Sequence, residues 1–356
     1  MTSAIVAAGR FALRGVPSSL SRIGLGTWAF GGQGWRYSWG RQDDAASLRT
    51  IDAALDVGID WLDTAPVYGV GHAEELVGKA LRGRRTRVVI ATKCGFLWQP
   101  GSRRAYPRLT AASVFEEVEA SLRRLRTDYI DLYQVHWPGP NCDLSGAWES
   151  ICRLIEAGKV RCGGVCNLSP TDLGTLRQQP PPASLQVPCN ILQPPAPDLV
   201  ALAAAAGIGI VGYSPLASGM LCHGFSHARR QRLAGDDWRR HAAQFNEPQL
   251  SAHLRLINQL RSFAVAHDRR VEHYALAWAL RHAAAGGVLL GARSAAQLLA
   301  TAASEALPEA ELAALEDLLN PPQHPPLPAD PAPERRSVGH ESDPPPPIPS
   351  QQPRRR

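Results

Sequence analysis

The sequence predicts an α/β fold, a (β/α)8 barrel of the TIM type. Two observations predict it: eight short apolar runs recur over about 300 residues, and segments with apolar residues at helical spacing lie between them. A third observation argues against the main alternative, a doubly wound parallel sheet. That fold usually carries a GxGxxG phosphate-binding turn after its first strand, whereas GLGTWAFGG after the first run lacks this spacing.

The apolar runs define the order of the predicted strands. They are RIGLG (22–26), IDWLD (59–63), RVVIAT (87–92), YIDLYQVH (129–136), RCGGVC (161–166), SLQVP (184–188), GIGIVGY (207–213) and GVLLG (287–291). Helical patterns between them are clearest at 45–58, 110–125 and 147–158. Asp43 before the first helix and Gly58 after it are residue types that cap helices.

Composition excludes several classes of protein. The chain has 356 residues, 44% of them hydrophobic, so it can bury a large core. No apolar segment approaches the ~18 residues needed to span a bilayer, so we expect no membrane insertion. The net charge of +6 comes from arginines scattered among acids, without a recognisable nucleic-acid module. We therefore expect no nucleic-acid partner.

Cysteine usage bears on metals and on location. The seven cysteines form an odd set without a CxxC pair. This argues against a disulfide framework and against a structural zinc site, so we predict no bound metal. Reduced thiols and the lack of a convincing signal peptide favour a cytoplasmic location.

The C-terminal region differs in composition from the rest of the chain. Residues 320–356 contain 13 prolines in 37 positions and almost no apolar bulk, so they cannot offset the entropy cost of ordering. We predict a flexible N-terminus at 1–10, a barrel with an N-terminal β-hairpin at 11–319, and a disordered proline-rich tail at 320–356. The run PPPPIP is a candidate ligand for a proline-reading partner domain, and the oligomeric state stays open.

Four polar residues end or follow three neighbouring predicted strands. Asp63 ends the second strand and Tyr68 follows it, Lys93 ends the third, and His136 ends the fourth. Because the carboxyl ends of barrel strands meet at one rim, where active sites of such barrels lie, we expect these side chains to converge. Each alone also has a structural interpretation, as a turn former, loop packing, a surface charge or a core histidine. Their joint position favours a catalytic site.

These residue types suit the reduction of a carbonyl group. A tyrosine hydroxyl, with a reference pKa near ~10, exchanges protons poorly at neutral pH unless a nearby cation stabilises its phenolate. We expect Lys93 to be that cation and Asp63 to hold it charged. His136 would donate to, or position, the substrate oxygen. One histidine and one aspartate do not make a ligand set, which argues against a metal hydrolase.

Six stretches of the sequence resemble the aldo-keto reductases. They are IGLGTWAFGG (23–32), DTAPVYGVGHAEELVGKAL (63–81), ATKCG (91–95), IDLYQVHWP (130–138), GGVCNLS (163–169) and YSPLASGML (213–221). The resemblance covers roughly residues 11–319 and is closest to bacterial reductases of the inositol-operon and general-stress type. Potassium-channel β-subunits share the pattern. It implies that Asp63, Tyr68, Lys93 and His136 form a catalytic tetrad with Tyr68 as general acid.

The resemblance also implies NADPH, bound across the barrel mouth without a Rossmann fold. Asn167 and Gln186 match residues that bond the carboxamide, and Tyr213 matches the ring that stacks on the nicotinamide. The loop 214–219 matches the one over the pyrophosphate. Arg293 matches the partner of the 2′-phosphate, which favours NADPH over NADH. The implied cofactor-binding residues are Gly26, Thr27, Trp28, Asn167, Gln186, Tyr213, Ser214, Pro215, Leu216, Ser218, Gly219, Gly291, Arg293 and Gln297.

Four positions depart from the family pattern. Cys166 stands where serine is usual, Cys189 where tyrosine is frequent, Leu290 where proline is frequent, and Thr301 where asparagine often touches adenine. We expect these changes to weaken cofactor binding at most, because none removes a member of the tetrad.

The predicted substrate pocket is apolar. Trp28, Phe30, Trp98 and Trp137 lie on or just beyond strand ends and could wall it. Residues 222–250 correspond to a variable connection that we expect to fold over the cofactor.

We therefore predict NADPH-dependent reduction of aldehydes or ketones to alcohols, with a small carbonyl compound as substrate. Two alternatives come from other classes. One is a cofactor-binding regulatory or redox-sensing subunit with little turnover, and the other is an adaptor that uses the proline-rich tail on an inactive barrel. Turnover of NADPH separates the enzyme from both.

Overall fold

The computed structural model of the protein describes residues 9–99, 101–139, 142–283, 286–302 and 307–320. The predicted flexible leader and proline-rich tail therefore fall almost entirely outside the described residues. Arg10, assigned to the leader, lies in a short strand and pairs with Ser21. In the described part of the chain, no helix is both long enough and apolar enough to cross a membrane.

The strands form two short antiparallel hairpins and one closed barrel. In chain order they are β1 (Arg10–Phe11), β2 (Leu20–Ser21), β3 (Ile23–Gly26), β4 (Trp61–Asp63), β5 (Val89–Cys94), β6 (Phe96–Leu97), β7 (Tyr106–Pro107), β8 (Ile130–Val135), β9 (Val160–Cys166), β10 (Ser184–Pro188), β11 (Gly209–Tyr213) and β12 (Gly287–Gly291). The hairpins are β1 with β2 and β6 with β7. The other eight strands are parallel, follow one another around the barrel in chain order, and close where β12 pairs with β3.

Helices connect the barrel strands and cover the outside. They are α1 (Asp44–Asp56), α2 (His72–Ala80), α3 (Ala111–Leu125), α4 (Leu144–Glu156), α5 (Pro170–Thr175), α6 (Pro197–Ala205), α7 (His227–Gln231), α8 (Gln249–Ala266), α9 (Val271–His282), α10 (Ala295–Ala302) and α11 (Glu309–Leu319). Apolar residues on their inner faces and on the outward faces of the strands form one continuous core. The predicted (β/α)8 barrel and its eight strands are confirmed.

Local sequence explains where the helices begin. The Asp43 side chain accepts a hydrogen bond from the Ala46 backbone amide, so the predicted cap of α1 is confirmed. The α4 helix begins at Leu144, three residues before the predicted 147, because the Asp143 side chain caps it by accepting from the Gly146 amide. The apolar pattern alone missed this first turn.

The N-terminal hairpin closes the amino-terminal end of the barrel. Phe11, Leu13 and Leu20 pack with side chains from the barrel interior, among them Trp61. The Phe11 and Trp61 rings meet edge to face, with centroids 5.8 Å apart. Trp61 in turn packs against Gly24 so closely that a Cβ there would lie 2.3 Å from the indole. The carboxyl end of the barrel is therefore the end left for ligands.

Candidate active site

A buried ion pair lies at the carboxyl ends of β4 and β5. Nζ of Lys93 lies 2.5 Å from Oδ1 of Asp63 and donates to the Thr64 carbonyl oxygen at 2.8 Å. Lys93 is fully buried and Asp63 nearly so. Burial alone would lower the pKa of Lys93, but the charge and hydrogen bond of Asp63, together with Tyr68 and Cys166, outweigh it and raise that pKa above its ordinary value. Lys93 is therefore a fixed ammonium group.

The Tyr68 hydroxyl lies beside this ammonium group. Lys93 Nζ donates to the Tyr68 oxygen at 3.3 Å. The turn that carries Tyr68 approaches Gly31 so closely that a Cβ at Gly69, which has φ of 67°, would lie 2.1 Å from the Gly31 carbonyl oxygen. This contact between backbones holds the tyrosine in place.

The protonation of Tyr68 differs from the sequence-based expectation. Burial raises the pKa of Tyr68 to about 12, and the charge of Lys93 opposes this only in part. The expectation that the ammonium group makes the phenol acidic overall is therefore wrong for this state of the protein, because desolvation of the phenolate is the larger effect. At neutral pH the hydroxyl keeps its proton.

His136 completes the group of four. It directly follows β8, and its backbone amide donates to the Cys94 carbonyl oxygen at 2.9 Å. Its ring meets the Tyr68 ring edge to face, with centroids 5.8 Å apart. Burial, and then the positive charge of Lys93, lower the pKa of His136 well below its ordinary value. The imidazole is therefore neutral and can donate one N–H group.

Two glutamine side chains hold the other oxygen of Asp63. Oδ2 accepts from Nε2 of Gln186 at 3.0 Å and from Nε2 of Gln134 at 3.2 Å. Gln186 matches a family residue that bonds the cofactor carboxamide, and in the folded protein its amide nitrogen faces Asp63 inside the barrel. Gln134 was not singled out, because within the β8 run it has no distinguishing spacing. The amides of Gln186 and Gln134 hold the Asp63 carboxylate in place, and this carboxylate positions Lys93.

Asn167 and Tyr213 lie next to this group at the barrel mouth. The Tyr213 hydroxyl donates to Oδ1 of Asn167 at 2.8 Å, and Nδ2 of Asn167 donates to the His136 carbonyl oxygen at 3.1 Å. Asn167 has φ of 58°, a left-handed conformation that asparagine tolerates better than most residues. These bonds hold the Tyr213 ring at the mouth, beside the tetrad.

The loop after β11 has an unusual backbone. Ser214, Ala217 and Ser218 have φ of 53°, 45° and 52°, and Gly219 follows with 92°. Left-handed residues other than glycine cost on the order of 1–3 kcal/mol each and cluster at ligand sites. Pro215 and Leu216 are buried, and Leu216 packs in the core, so the two residues anchor the loop. The Ala217 and Gly219 amides donate to the Ser214 and Leu216 carbonyl oxygens within the turn. Turns that contain left-handed residues form the concave anion-binding sites of other proteins.

Two glycines leave room for a ligand at the junction of β12 and β3. A Cβ at Gly26 or at Gly291 would meet nothing closer than 3.9 Å and 4.0 Å respectively. The backbone there is uncovered, which fits an extended cofactor. Thr27 lies deeper, because its amide and its hydroxyl both donate to the Asp63 carbonyl oxygen, at 2.9 and 3.0 Å. Thr27 therefore positions Asp63.

Arg293 lies just beyond this junction. Its Nε donates to Oε1 of Gln42 at 3.0 Å, and its guanidinium group also donates to the Arg41 carbonyl oxygen. Gln297 accepts from the Arg293 amide at 3.0 Å. Burial, and then the positive charge of Arg239, lower the pKa of Arg293. Asp237 and Asp236 oppose this effect, and Asp237 is paired with Arg239, so Arg293 is the guanidinium group without an ion pair here among the described residues.

This geometry can be compared with known proteins. The family model described as the aldo/keto reductase family matches residues 22–320, which contain all eight barrel strands, the tetrad and the groove beside it. The chain belongs to the aldo-keto reductase family. It is therefore an NAD(P)H-dependent oxidoreductase.

Relatives and solved structures agree with this assignment. The aldo-keto reductase YhdN of Bacillus subtilis is 40% identical over 78% of this chain and 83% of its own length. The NADH-specific methylglyoxal reductase of Escherichia coli is 32% identical over 79% and 88%. The glycerol dehydrogenase AKR11B4 from Gluconobacter oxydans superposes with a TM-score of 0.78 at 33% identity, covering 91% and 98% of the two chains. An aldo-keto reductase from Klebsiella pneumoniae in complex with NADPH gives 0.65 at 29%, covering 88% and 97%.

The substrate side of this aldo-keto reductase differs from the predicted pocket. The Trp28 ring is stacked on the Tyr68 ring, with centroids 6.4 Å apart, so its place in the pocket stays a prediction. Phe30 is fully buried in the core, so its assignment to the pocket is wrong. The short helical turn 28–31 points it inward, which its place after a strand does not reveal. The Trp98 ring packs under the Arg124 guanidinium group at 5.5 Å, and Trp137 is partly exposed directly after His136.

Two aromatic residues beside the tetrad were not predicted. The Trp35 ring lies 6.3 Å from the Tyr68 ring, and the Phe96 ring lies 5.4 Å from the His136 ring. The tryptophan-rich stretch GWRYSWG after the first strand was the available signal for Trp35. Trp28, Trp35 and Phe96 together form an aromatic wall around Tyr68 and His136.

The long connection after β11 folds against the loop that follows β3. The Trp238 amide donates to the Ser38 carbonyl oxygen at 2.9 Å, and the Trp238 ring stacks on Trp28 at 5.1 Å. Arg239 pairs with buried Asp237 at 2.6 Å and donates to the Ser218 carbonyl oxygen at 3.2 Å. No local sequence pattern marks Trp238 or Arg239, because their partners are distant in sequence.

The four departures from the family pattern are all buried side chains. Sγ of Cys166 lies 3.7 Å from Oε1 of Gln134, and the Thr301 hydroxyl donates to the Gln297 carbonyl oxygen at 3.1 Å. Cys189 and Leu290 lie in the core. In the described residues, no group of three or more His, Cys, Asp or Glu side chains is arranged to hold a metal ion.

A buried carboxyl group supports the turn that carries Phe96. Glu117 in α3 accepts hydrogen bonds from the amides of Gly95 at 3.0 Å and Phe96 at 3.3 Å. Burial raises the pKa of Glu117 from 4.5 to about 8, with the charge of Glu74 adding to the rise and that of Arg124 opposing it. The folded protein therefore holds a proton that the unfolded chain releases between these pH values, so stability falls as pH rises through this window.

We expect Glu117→Gln to remove this pH dependence. Between pH 5.5 and 7.5 the free energy of unfolding of the wild type should fall, relative to the variant, by about 1.4 kcal/mol per pH unit. Urea denaturation at several pH values measures it. The exposed neighbour Glu116→Gln is the matched control and should keep the wild-type slope. Equal slopes for the wild type and Glu117→Gln would contradict the prediction.

Proposed function

We propose that this aldo-keto reductase reduces aldehydes or ketones to alcohols with NADPH, using Tyr68 as the proton donor. The observation that carries the proposal is a protonated phenol 3.3 Å from a buried ammonium group at the open end of the barrel. The methylglyoxal reductase among the relatives and the NADPH complex among the similar structures support the reaction class.

Each residue of the tetrad has a distinct part in this proposal. A bound nicotinamide cofactor would supply the hydride. Tyr68 donates its proton as negative charge develops on the substrate oxygen, and Lys93 stabilises the phenolate that remains. Neutral His136 donates an N–H hydrogen bond to the same oxygen. Asp63 holds Lys93 in position and compensates its charge inside the barrel.

The groove beside the tetrad suggests how the cofactor is held. Tyr213 and Asn167 would contact the nicotinamide end. The loop 214–219 would hold the pyrophosphate through backbone amides, and Arg293 with Gln297 would hold the adenosine end. The uncovered backbone at Gly26 and Gly291 would leave room for the phosphates and sugars of the cofactor between its nicotinamide end and its adenosine end.

The direct test is to follow the absorbance of NADPH with a panel of aromatic and aliphatic aldehydes. Consumption of NADPH that depends on the aldehyde supports the proposal. Binding of NADPH without turnover of any carbonyl compound would contradict it and would favour a cofactor-binding subunit. We also propose a cytoplasmic location, which the seven free cysteines of the structure support.

Arg293→Gln is expected to weaken binding of NADPH by about 10-fold to 100-fold, because one charge-assisted contact to the 2′-phosphate is lost. Binding of NADH, which lacks that phosphate, should change little. Fluorescence titration with each cofactor measures both. The exposed Arg177→Gln is the control for the loss of one charge. Equal losses of affinity for NADPH and NADH would show that Arg293 does not select NADPH. The test matters because one relative is NADH-specific.

A further inference from the structure

The short connections at the mouth of the barrel carry more arginines than acidic residues. The short connections that follow β3, β4, β5, β8, β9, β10 and β12 contain six arginines and two acidic residues, Asp43 and Asp143, whose side chains cap α1 and α4. Two of the six, Arg41 and Arg293, lie together at the adenosine end of the proposed cofactor groove. The other four are Arg36, Arg103, Arg104 and Arg108, which we call the arginine rim.

The arginine rim lies in the sector of the substrate. Its members follow β3 and β5, whereas the loop proposed for the pyrophosphate follows β11 and Arg293 follows β12. The barrel order places β4 between β3 and β5, and β4 is the strand that ends at Asp63 and leads to Tyr68. The proposed cofactor contacts therefore do not account for these four charges.

Arg103 is held in place at this rim. Its Nη1 donates to the Gln33 carbonyl oxygen at 2.8 Å, so the side chain crosses from the β6–β7 hairpin to the loop after β3. Nη1 lies 3.4 Å from the position of a Cβ at Gly34. Trp35 is the next residue, and its ring lies 6.3 Å from that of Tyr68. The Arg103 guanidinium group therefore lies against the loop that carries Trp35, a member of the aromatic wall.

Carboxylates compensate little of this charge. Within the described residues, none of the four arginines of the rim forms an ion pair. Asp237 is already paired with Arg239. Asp236 reaches the loop after β3, where its carboxylate accepts from the Ser38 hydroxyl at 2.9 Å and the Gly34 amide at 3.3 Å. Asp43 and Asp143 accept from backbone amides as helix caps, so Asp236 is the carboxylate that these hydrogen bonds place against the loop that carries Arg36.

We propose that this site acts on carbonyl compounds that carry a negatively charged group. The aromatic wall holds the apolar body of such a molecule, and the arginine rim attracts its carboxylate or phosphate and orients the carbonyl group toward Tyr68. A cleft lined by charge of one sign raises the local concentration of the opposite ion and the rate of encounter. The inference rests on the reductase activity proposed above.

Matched pairs of aldehydes test the inference. At low salt, kcat/KM for 4-carboxybenzaldehyde should exceed that for its neutral methyl ester by about tenfold, and the ratio should fall toward one as salt screens the charges. Glyceraldehyde 3-phosphate against glyceraldehyde makes the same comparison for a phosphate. A preference in only one pair identifies which anion the rim accepts.

Arg103→Gln should lower kcat/KM for the charged aldehyde several-fold more than kcat/KM for its ester. The exposed Arg87→Gln, at the opposite end of the barrel before β5, removes the same charge and should leave the preference intact. The inference would be overturned if the ratio of kcat/KM for the charged aldehyde to that for its neutral partner were one or less in both pairs at low salt. It would also be overturned if this ratio were equal in Arg103→Gln and in the wild type.

A binding measurement separates this inference from the proposed activity. With NADP+ present, 4-(hydroxymethyl)benzoate should quench tryptophan fluorescence at lower concentration than its methyl ester does. Failure of the reductase proposal would appear as no NADPH oxidation with any aldehyde. Failure of this inference would appear as oxidation and binding that do not distinguish charged from neutral molecules.

Discussion

Tyr68→Phe is expected to lower kcat for carbonyl reduction by about 100-fold to 10,000-fold, the range usual for loss of a positioned general acid. The hydroxyl is the group that lies 3.3 Å from Lys93 Nζ and keeps its proton at neutral pH. Phenylalanine keeps the ring and its stacking with Trp28, so the fold and the affinity for NADPH should be unchanged. Steady-state kinetics and a fluorescence titration with NADPH measure the two effects.

Tyr106→Phe provides the matched control for this substitution. Tyr106 is 44% exposed and lies on the β6–β7 hairpin, away from the ion pair, so loss of its hydroxyl should change kcat little. A Tyr68→Phe variant that turns over as fast as the wild type would remove Tyr68 from the role of proton donor. The neighbouring neutral His136 would then be the group to test.

Lys93→Met is expected to abolish reduction and to destabilise the fold by on the order of 3–5 kcal/mol. The substitution leaves the Asp63 carboxylate buried, with only the two glutamine amides as donors to its side chain. It also removes the charge that stabilises the Tyr68 phenolate during proton transfer. Kinetics and urea denaturation of the same preparation measure both losses.

Lys159→Met is the control for the loss of a lysine ion pair. Lys159 pairs with Glu119, and both side chains are 44% exposed. Ion pairs in contact with water contribute about 0–1 kcal/mol, so this variant should stay close to the wild type in both measurements. If Lys93→Met and Lys159→Met lost similar stability, the Lys93–Asp63 pair would not act as a buried pair.

The barrel architecture could be predicted from the sequence because the patterns that indicate it lie in short stretches of the chain. Each strand of the barrel is a short run of apolar residues that folds with both faces covered, so RVVIAT and SLQVP stand out from the polar segments around them. The position of the candidate site could be predicted for the same reason. Asp63, Lys93 and His136 are polar residues at the ends of such runs, and a parallel barrel brings strand ends to one rim.

The direction and the burial of individual side chains could not be predicted from the sequence in this way. Phe30 and Trp28 are two residues apart after the same strand, yet one is in the core and the other lies beside Tyr68. Gln186 matched a cofactor contact in its sequence context, but its amide nitrogen faces Asp63. In both cases the outcome depends on neighbours that are distant along the chain.

The sequence by itself determined the barrel, the family and the four polar residues at the rim, because apolar periodicity and motif order are properties of short stretches. The tertiary structure decided the protonation of Tyr68 and Glu117, the partner of Gln186, and the pairing of the Trp238–Arg240 turn with the loop after β3. These depend on how much water and which charges surround a group. That environment exists only when strands and loops far apart in the chain are packed together.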